Sequence, residues 1–463
     1  GGAAGASGTT PYTSGPSAAN NTGGGGGGGN GVPASSSGAG GNGGSGIVIL
    51  RYATAGVSSY TTTGITPTET TDGTDTILSF TTVGTGTINF TGALIPGTPP
   101  MTDGEMIFNS TTDKVEYWDG TKWYGITYEV NYLYNNLLYT GDGNTSNPQT
   151  NIGFSPDLVW IADRDGGNYN PIQDSVRGVN SVLVTALNSG ELSSAWRNSY
   201  GQITSFDSDG FNVSDGSGNT NSNFNQSGRD YVAWCFKAGG AAVANTNGNI
   251  ASQVSANVAG GFSVVKWSGN DTTGGTIGHG LSSTPELTII KKTSANANWQ
   301  VSLNASVTGQ EGYMNLDATA GLYTTYPLYY TSSNSTVLSS NGTSTTTRLY
   351  NNQSADYIAY CFHSVAGVSK VGSFLGTGVA GKKITLDFQP AWLMIKRSST
   401  TGDWTVIDNK INTASIKRNY IKINEIGAEN TATTGIVFES DGFSFSGGSF
   451  NQSGQTAIYL AFA

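Results

Sequence analysis

The sequence predicts an all-β chain: tandem antiparallel β-sandwiches behind a glycine-rich, slender amino-terminal region. Three observations predict it. Good helix formers are scarce, and no long stretch repeats its apolar residues at helical spacing. Short aromatic and β-branched runs recur instead, divided by Gly, Asn, Ser and Asp turns. One such run returns three times behind the same polar turn, the mark of an internal duplication. Asn225-Gln226-Ser227 leads into Asp230-Tyr231-Val232-Ala233-Trp234-Cys235-Phe236. Asn352-Gln353-Ser354 leads into Asp356-Tyr357-Ile358-Ala359-Tyr360-Cys361-Phe362, and Asn451-Gln452-Ser453 into Ala457-Ile458-Tyr459-Leu460-Ala461-Phe462.

In chain order, residues 1–52 form a glycine-rich segment, with an unbroken run from Gly23 to Gly29, ending in the strand Ile47-Val48-Ile49-Leu50-Arg51-Tyr52. Composition alone makes the tract a flexible linker. A glycine run also packs as extended three-fold helices, whose hydrogen bonds must go to neighbouring segments. The chain begins at Gly1 rather than Met, as a processed or partial chain would. Residues 53–100 are Thr- and Gly-rich with weak alternation, as in Thr76-Ile77-Leu78-Ser79-Phe80 and Thr87-Ile88-Asn89-Phe90, which suits a slender β region. Residues 101–127 read as a small β-meander: Met106-Ile107-Phe108-Asn109, a turn, Lys114-Val115-Glu116-Tyr117-Trp118, an Asp119-Gly120 turn and a closing Trp123.

Three large copies follow, at 128–243, 244–367 and 368–463. Each opens a strand after a proline (Pro156, Pro285, Pro390), which is allowed where no ladder donor is needed. Phe206-Asp207-Ser208-Asp209-Gly210-Phe211 and Phe438-Glu439-Ser440-Asp441-Gly442-Phe443 read as hairpins. Ser339-Ser340-Asn341-Gly342 takes their place in the middle copy. At about 100–125 residues each, the copies fit two-sheet sandwiches of jelly-roll or lectin-like kind.

Several residues carry the resemblance. The tract ending Gly44-Ser45-Gly46-Ile47-Val48-Ile49 resembles glycine-rich segments of bacteriophage tail-fibre and adhesin proteins. The meander, with its Trp118-Asp119-Gly120 and Trp123, resembles a module of phage tail and neck fibres. Tyr231 to Gly239 resemble the closing strand of repeated concanavalin-like modules in marine phage structural proteins. The third copy departs from that pattern, with Ala461 for Cys. The resemblance implies a virion appendage, extracellular, commonly homotrimeric, meeting other virion proteins and host surface glycans.

Composition excludes several classes. Charged residues are 11 % of the chain and the formal net charge is −10. A nucleic-acid binder needs clustered Lys and Arg instead. No apolar run reaches the roughly 18 residues of a membrane span, so no membrane insertion is expected, and no signal peptide is visible. Cys235 and Cys361 occupy matching places in two copies, so each faces its own core and no disulfide joins them.

The chemistry-bearing residues are few. His279 and His363 lie in different copies at unmatched positions, which supports neither a Ser-His-Asp arrangement nor a zinc site. His363, after a closing strand, reads as a solvated or capping residue. Asp163-Arg164-Asp165-Gly166-Gly167-Asn168 and Asp207-Ser208-Asp209-Gly210 offer calcium-type oxygens, yet Asp-Gly turns need no ion. Asp163 with Glu191, or Glu311 with Asp317, are the carboxylate pairs a glycosidase would need across a cleft. The repeated Asn-Gln-Ser reads as backbone-fixing turn chemistry or as amides for a glycan. The tryptophans read as core rather than sugar platform.

No catalytic, cofactor-binding or metal residue is assigned. The expected function is a non-enzymatic structural protein of a virion, a tail fibre or similar appendage, for host-surface attachment. The alternatives are a secreted carbohydrate-active depolymerase, and a cellular surface-layer or pilus-like adhesin. Self-association as a homotrimer is expected, and no cofactor.

Overall fold

The computed structural model describes residues 48–54, 59–81, 87–91, 106–109, 114–118, 123–126, 133–217, 222–324, 333–340 and 351–463. The expectation for the glycine tract at 1–46 lies outside them. The chain divides into two compact units, 1–129 and 130–463. Both are built almost wholly from antiparallel strands, with two short helices at Ser194–Tyr200 and Ala305–Thr308 among the described residues.

In the first unit the strand Val48–Ala53 pairs with Asp75–Phe80, which also takes Thr68–Asp72. Alternation along Asp75–Phe80 buries Leu78 and Phe80 and leaves the other face half-exposed, as a period of two demands. Arg51 bonds Asp75 at 2.7 Å and Asp72 at 3.0 Å. Ser59–Thr63 pairs with Thr87–Thr91. The meander takes its expected order: Met106–Asn109, Lys114–Trp118 and then Trp123–Ile126, the third strand beginning at the tryptophan read as a closing residue.

The second unit contains one strand arrangement three times. In each copy a first strand pairs with the closing strand, which pairs with the proline-led strand, then a fourth and a fifth. For copy one these are Tyr134–Thr140, Asp230–Phe236, Leu158–Asp163, Pro171–Asp174 and Leu183–Val184. Copy two uses Phe262–Ser268, Asp356–Phe362, Leu287–Lys292, Gln300–Leu303 and Gly312–Asn315. Copy three uses Ser369–Leu375, Thr456–Phe462, Trp392–Arg397, Thr405–Asp408 and Ile416–Lys422. Each proline stands just outside the ladder: the N–H groups of Asp157, Glu286 and Ala391, one residue on, donate to Phe236, Phe362 and Phe462.

The hairpins at Asp207–Gly210 and Glu439–Gly442 form as expected. In the middle copy Ser339 and Ser340 are instead paired with Thr276 and Gly275 inside a strand. The turn sits earlier, where the Asn334 side chain accepts from the N–H groups of Thr336 and Val337. Asn341 and Gly342 lie outside the described residues.

The copies do not keep three separate cores. Each closing strand is buried on both faces. Tyr231, Ala233 and Cys235 face a cluster belonging to copy one, and Tyr357, Ala359 and Cys361 one belonging to copy two. Ala457, Tyr459 and Ala461 do the same in copy three. The alternate residues, among them Trp234, Phe236, Tyr360, Phe362, Leu460 and Phe462, all enter one common core. Phe236, Phe362 and Phe462 meet there with ring centroids 6.4, 5.3 and 6.0 Å apart. Both cysteines are free and buried, each in its own copy's cluster.

Polar contacts between the lobes close in a ring. Glu191 N–H donates to Thr293 O, Leu322 N–H to Ser398 O and Glu429 N–H to Arg164 O, joining copy one to two, two to three and three to one. A second ring runs through Trp299 Nε1 to Val184 O, Trp404 Nε1 to Asn315 O and Asn170 Nδ2 to Lys422 O, at 2.9, 2.9 and 3.2 Å. Matching residues of each copy take matching roles. The unit is thus a pseudo-three-fold assembly made within one chain.

Candidate functional site

The repeated turn is the first candidate, and its asparagine is a clamp. Asn225 Oδ1 accepts from Asp142 N–H at 3.1 Å, and its Nδ2 donates to Asn144 O at 2.9 Å. Asn451 does the same with Thr377 N–H and Val379 O, at 2.8 and 2.9 Å. In the middle copy the equivalent is Asn351, not Asn352: it accepts from Asn270 N–H at 2.7 Å and donates to Thr272 O at 2.8 Å. The motif of copy two therefore begins one residue earlier than its Asn-Gln-Ser spelling. Distance to the closing strand carries the signal, because Asn225, Asn351 and Asn451 each stand five residues before Asp230, Asp356 and Thr456. All three are fully buried, so their amides hold backbone and are closed to a ligand.

Asp163 is likewise committed inward. It accepts from the N–H groups of Asp165 and Gly166 and from Asn168 Nδ2. Arg229 lies 2.6 Å from it. Burial pushes its carboxyl up and the guanidinium's charge pulls it back. The cation of this loop is an arginine. Asp209 pins the neighbouring loop by accepting from Gly153 N–H at 2.6 Å and Asn151 N–H at 3.2 Å. No cluster of three metal-ligating side chains occurs among the described residues.

Neither carboxylate pair is brought together by shared contacts. Asp163 binds Arg229, whereas Glu191 binds Arg177 at 3.2 Å on the seam towards copy two. Glu311 is raised by burial, and Asp317 is raised by burial against the opposing charge of Lys291. Six tryptophans, Trp160, Trp234, Trp267, Trp299, Trp392 and Trp404, are buried. They are core rather than platform.

The histidines differ from one another. His279 is fully buried, takes Leu281 N–H on Nδ1 and gives its Nε2 proton to Asn334 O. Burial holds it below its ordinary value. Of the two readings of His363, solvated or capping, the solvated one does not hold, since it is only 8 % exposed. The sheet runs up to Phe362 and Gly261 receives His363 N–H on its carbonyl, which draws the ring inside. Its Nδ1 meets Ser364 O at 3.0 Å, which fixes that proton, and Nε2 is buried without a partner.

His363 lines a cleft of about 320 Å³ with Ser283, Thr284, Glu286, Asn304, Ser306 and Ser364. Glu286 Oε2 accepts from Ser364 N–H at 2.6 Å and Ser364 Oγ–H at 2.5 Å. The imidazole touches Ser364's carbonyl and not its hydroxyl, whose proton goes to Glu286. Ser364 and His363 therefore do not form a serine–histidine pair. Hydroxyls, an amide, a carboxylate and an imidazole face the space: a binding wall. The sequence held one signal for it, the change from Asp157 to Glu286 to Ala391 directly after the repeated proline.

A family profile described as "Domain of unknown function (DUF7483)" matches residues 130–463, the whole of the three-lobed unit. No curated protein and no solved structure matches the chain.

Proposed function

From the premise that the chain belongs to the DUF7483 family of domains of unknown function, we propose that it is a non-enzymatic structural protein of an extracellular appendage, of the virion tail-fibre kind, acting in attachment to a host surface. One observation carries the reading: the copies close on a shared core and hold several of their charged groups inside the fold. Arg177 holds Asp174, Arg229 holds Asp163, and Trp234 holds Asp408. Such a body supplies shape and loop surface rather than reactive groups. The resemblance of the amino-terminal segments to fibre proteins supplies the setting, with other virion proteins and host glycans as partners. Three lobes on one axis already give one chain the multiplicity by which weak contacts add. A homotrimer would multiply it again.

The test is incubation of the full chain with host surface polysaccharide. Retention of the protein on intact polymer is the expected result. Release of oligosaccharides, lost when one carboxylate is replaced by its amide, overturns the reading. A depolymerase needs two carboxylates across one cleft, and Glu286 is the carboxylate among the described residues lining this one.

A further inference from the structure

We propose that the cleft between Glu286 and His363 in lobe two binds one hydroxyl-rich, uncharged saccharide unit; this rests on the attachment reading and names where the contact is made. The duplication provides internal controls. Asp157, Glu286 and Ala391 are the same position, since each N–H donates to the last residue of its closing strand. In lobe one the place is plugged. Lys237 reaches Ser155 O at 3.0 Å and lies 3.7 Å from Asp157. The Asp157 oxygens are filled by Ser175 Oγ–H and by the N–H groups of Ala238 and Gly240. In lobe three Ala391 offers only a methyl group.

Lobe two leaves the place open and polar. His363 stands where lobe one has Lys237, directly after the closing strand. With its Nδ1 proton on Ser364 O, its Nε2 is left as a buried acceptor without a partner, in a side chain that lines the cleft. Glu286 Oε1 bears no protein partner among the described residues, its Oε2 holding both bonds from Ser364. A ligand rich in hydroxyl donors satisfies these two acceptors, and the hydroxyls of Ser283, Thr284 and Ser306 serve either role. Among the described residues no Lys or Arg lines the cleft, so an acidic sugar meets the Glu286 carboxylate uncompensated. The volume falls at the small end of small-molecule sites, roughly 300–1,000 Å³, which suits a single unit of a longer glycan. No Phe, Tyr or Trp among the described residues lines the space, so affinity is expected in the millimolar range, about −4 kcal/mol.

The chain's two histidines make the test direct. Full-length protein labelled at histidine Cε1 gives two resolvable signals, and His363→Lys, which installs the lobe-one plug, assigns them by removing one. The probes are the methyl glycosides of glucose, galactose, mannose and N-acetylglucosamine, with glucuronic acid as the acidic comparison. At least one neutral glycoside at tens of millimolar should move the His363 signal and leave His279 in place, glucuronic acid should not, and Glu286→Gln should weaken binding about tenfold. The His279 signal reports that each variant is folded. The proposal falls if no neutral glycoside moves His363, if glucuronic acid binds equally, or if Glu286→Gln binds as the parent does. Failure here alongside retention on intact polymer removes the cleft and leaves attachment standing. Polymer cleavage removes attachment, whereas a His363 shift still stands for the cleft.

Discussion

Single buried charges set how this protein answers to pH. Lys291 and Lys396 are matching residues of lobes two and three, and both are buried. Lys396 Nζ donates to Thr319 O at 2.8 Å and Gly402 O at 2.6 Å, and Lys291 Nζ donates to Ala297 O. Burial lowers both to about 8. Above that value the folded chain has released these protons while the unfolded chain still binds them, until about pH 10.4. Stability linked to these lysines therefore rises with pH between about 8 and 10.4. Urea denaturation of the parent and of Lys291→Met should show the parent gaining on the variant across that window. A gap that stays flat would place the lysine's proton on it throughout. Lobe one has Ala162 at the same position, so a sequence comparison of the copies shows the substitution but not the burial that gives it meaning.

At the scale of the element, the turn before each closing strand is one design with one irregular copy. Gly228 and Gly454 have φ of 77° and 71°, and Ser354 takes the same place with φ of 61°. A left-handed residue other than glycine is strained by roughly 1–2 kcal/mol. Glycine's greater freedom in the unfolded chain offsets part of that relief. Ser354→Gly should therefore stabilise the protein by about 0.5 kcal/mol, read as a rise in denaturation midpoint. Asn351→Ala, by contrast, leaves Asn270 N–H and Thr272 O without their clamp and should cost about 1–3 kcal/mol. The exposed neighbour Gln353→Ala should change stability by less than about 0.5 kcal/mol. Equal effects at 351 and 353 would contradict the clamp. The glycine facing each turn is constrained as well: a Cβ at Gly141, Gly269 or Gly376 would lie 2.2, 2.2 or 2.1 Å from the opposite carbonyl oxygen.

For the whole molecule, the shared core makes the lobes one cooperative body. Phe236, Phe362 and Phe462 touch one another, and the donors on two closing strands find acids in neighbouring lobes. Trp234 Nε1 gives its proton to Asp408, and Tyr360 Oη to Asp174, both at 2.9 Å. At the third equivalent place both partners are apolar, Leu460 and Leu303, and both lie in the common core. Donor faces acid twice and leucine accompanies leucine once, as burial of polar groups requires. Phe362→Ala should lower stability by about 3–5 kcal/mol and shift a single calorimetric transition of residues 130–463. Separate transitions for the lobes would show three independent cores.

The strands, their antiparallel pairing and the three-fold duplication were legible in the residues, because period-two patterning and turn chemistry act over short distances. So was the structural role of the repeated asparagine, though only its distance to the closing strand places it correctly in copy two. The burial of His363 and the cleft beside Glu286 were not legible, because both depend on what packs against a chain segment from elsewhere. A closing strand apolar on every residue states that two faces are covered without stating by what. The tertiary structure decided that: one face meets its own lobe and the other meets the two remaining copies, since a single sandwich has only one interior in which to bury it.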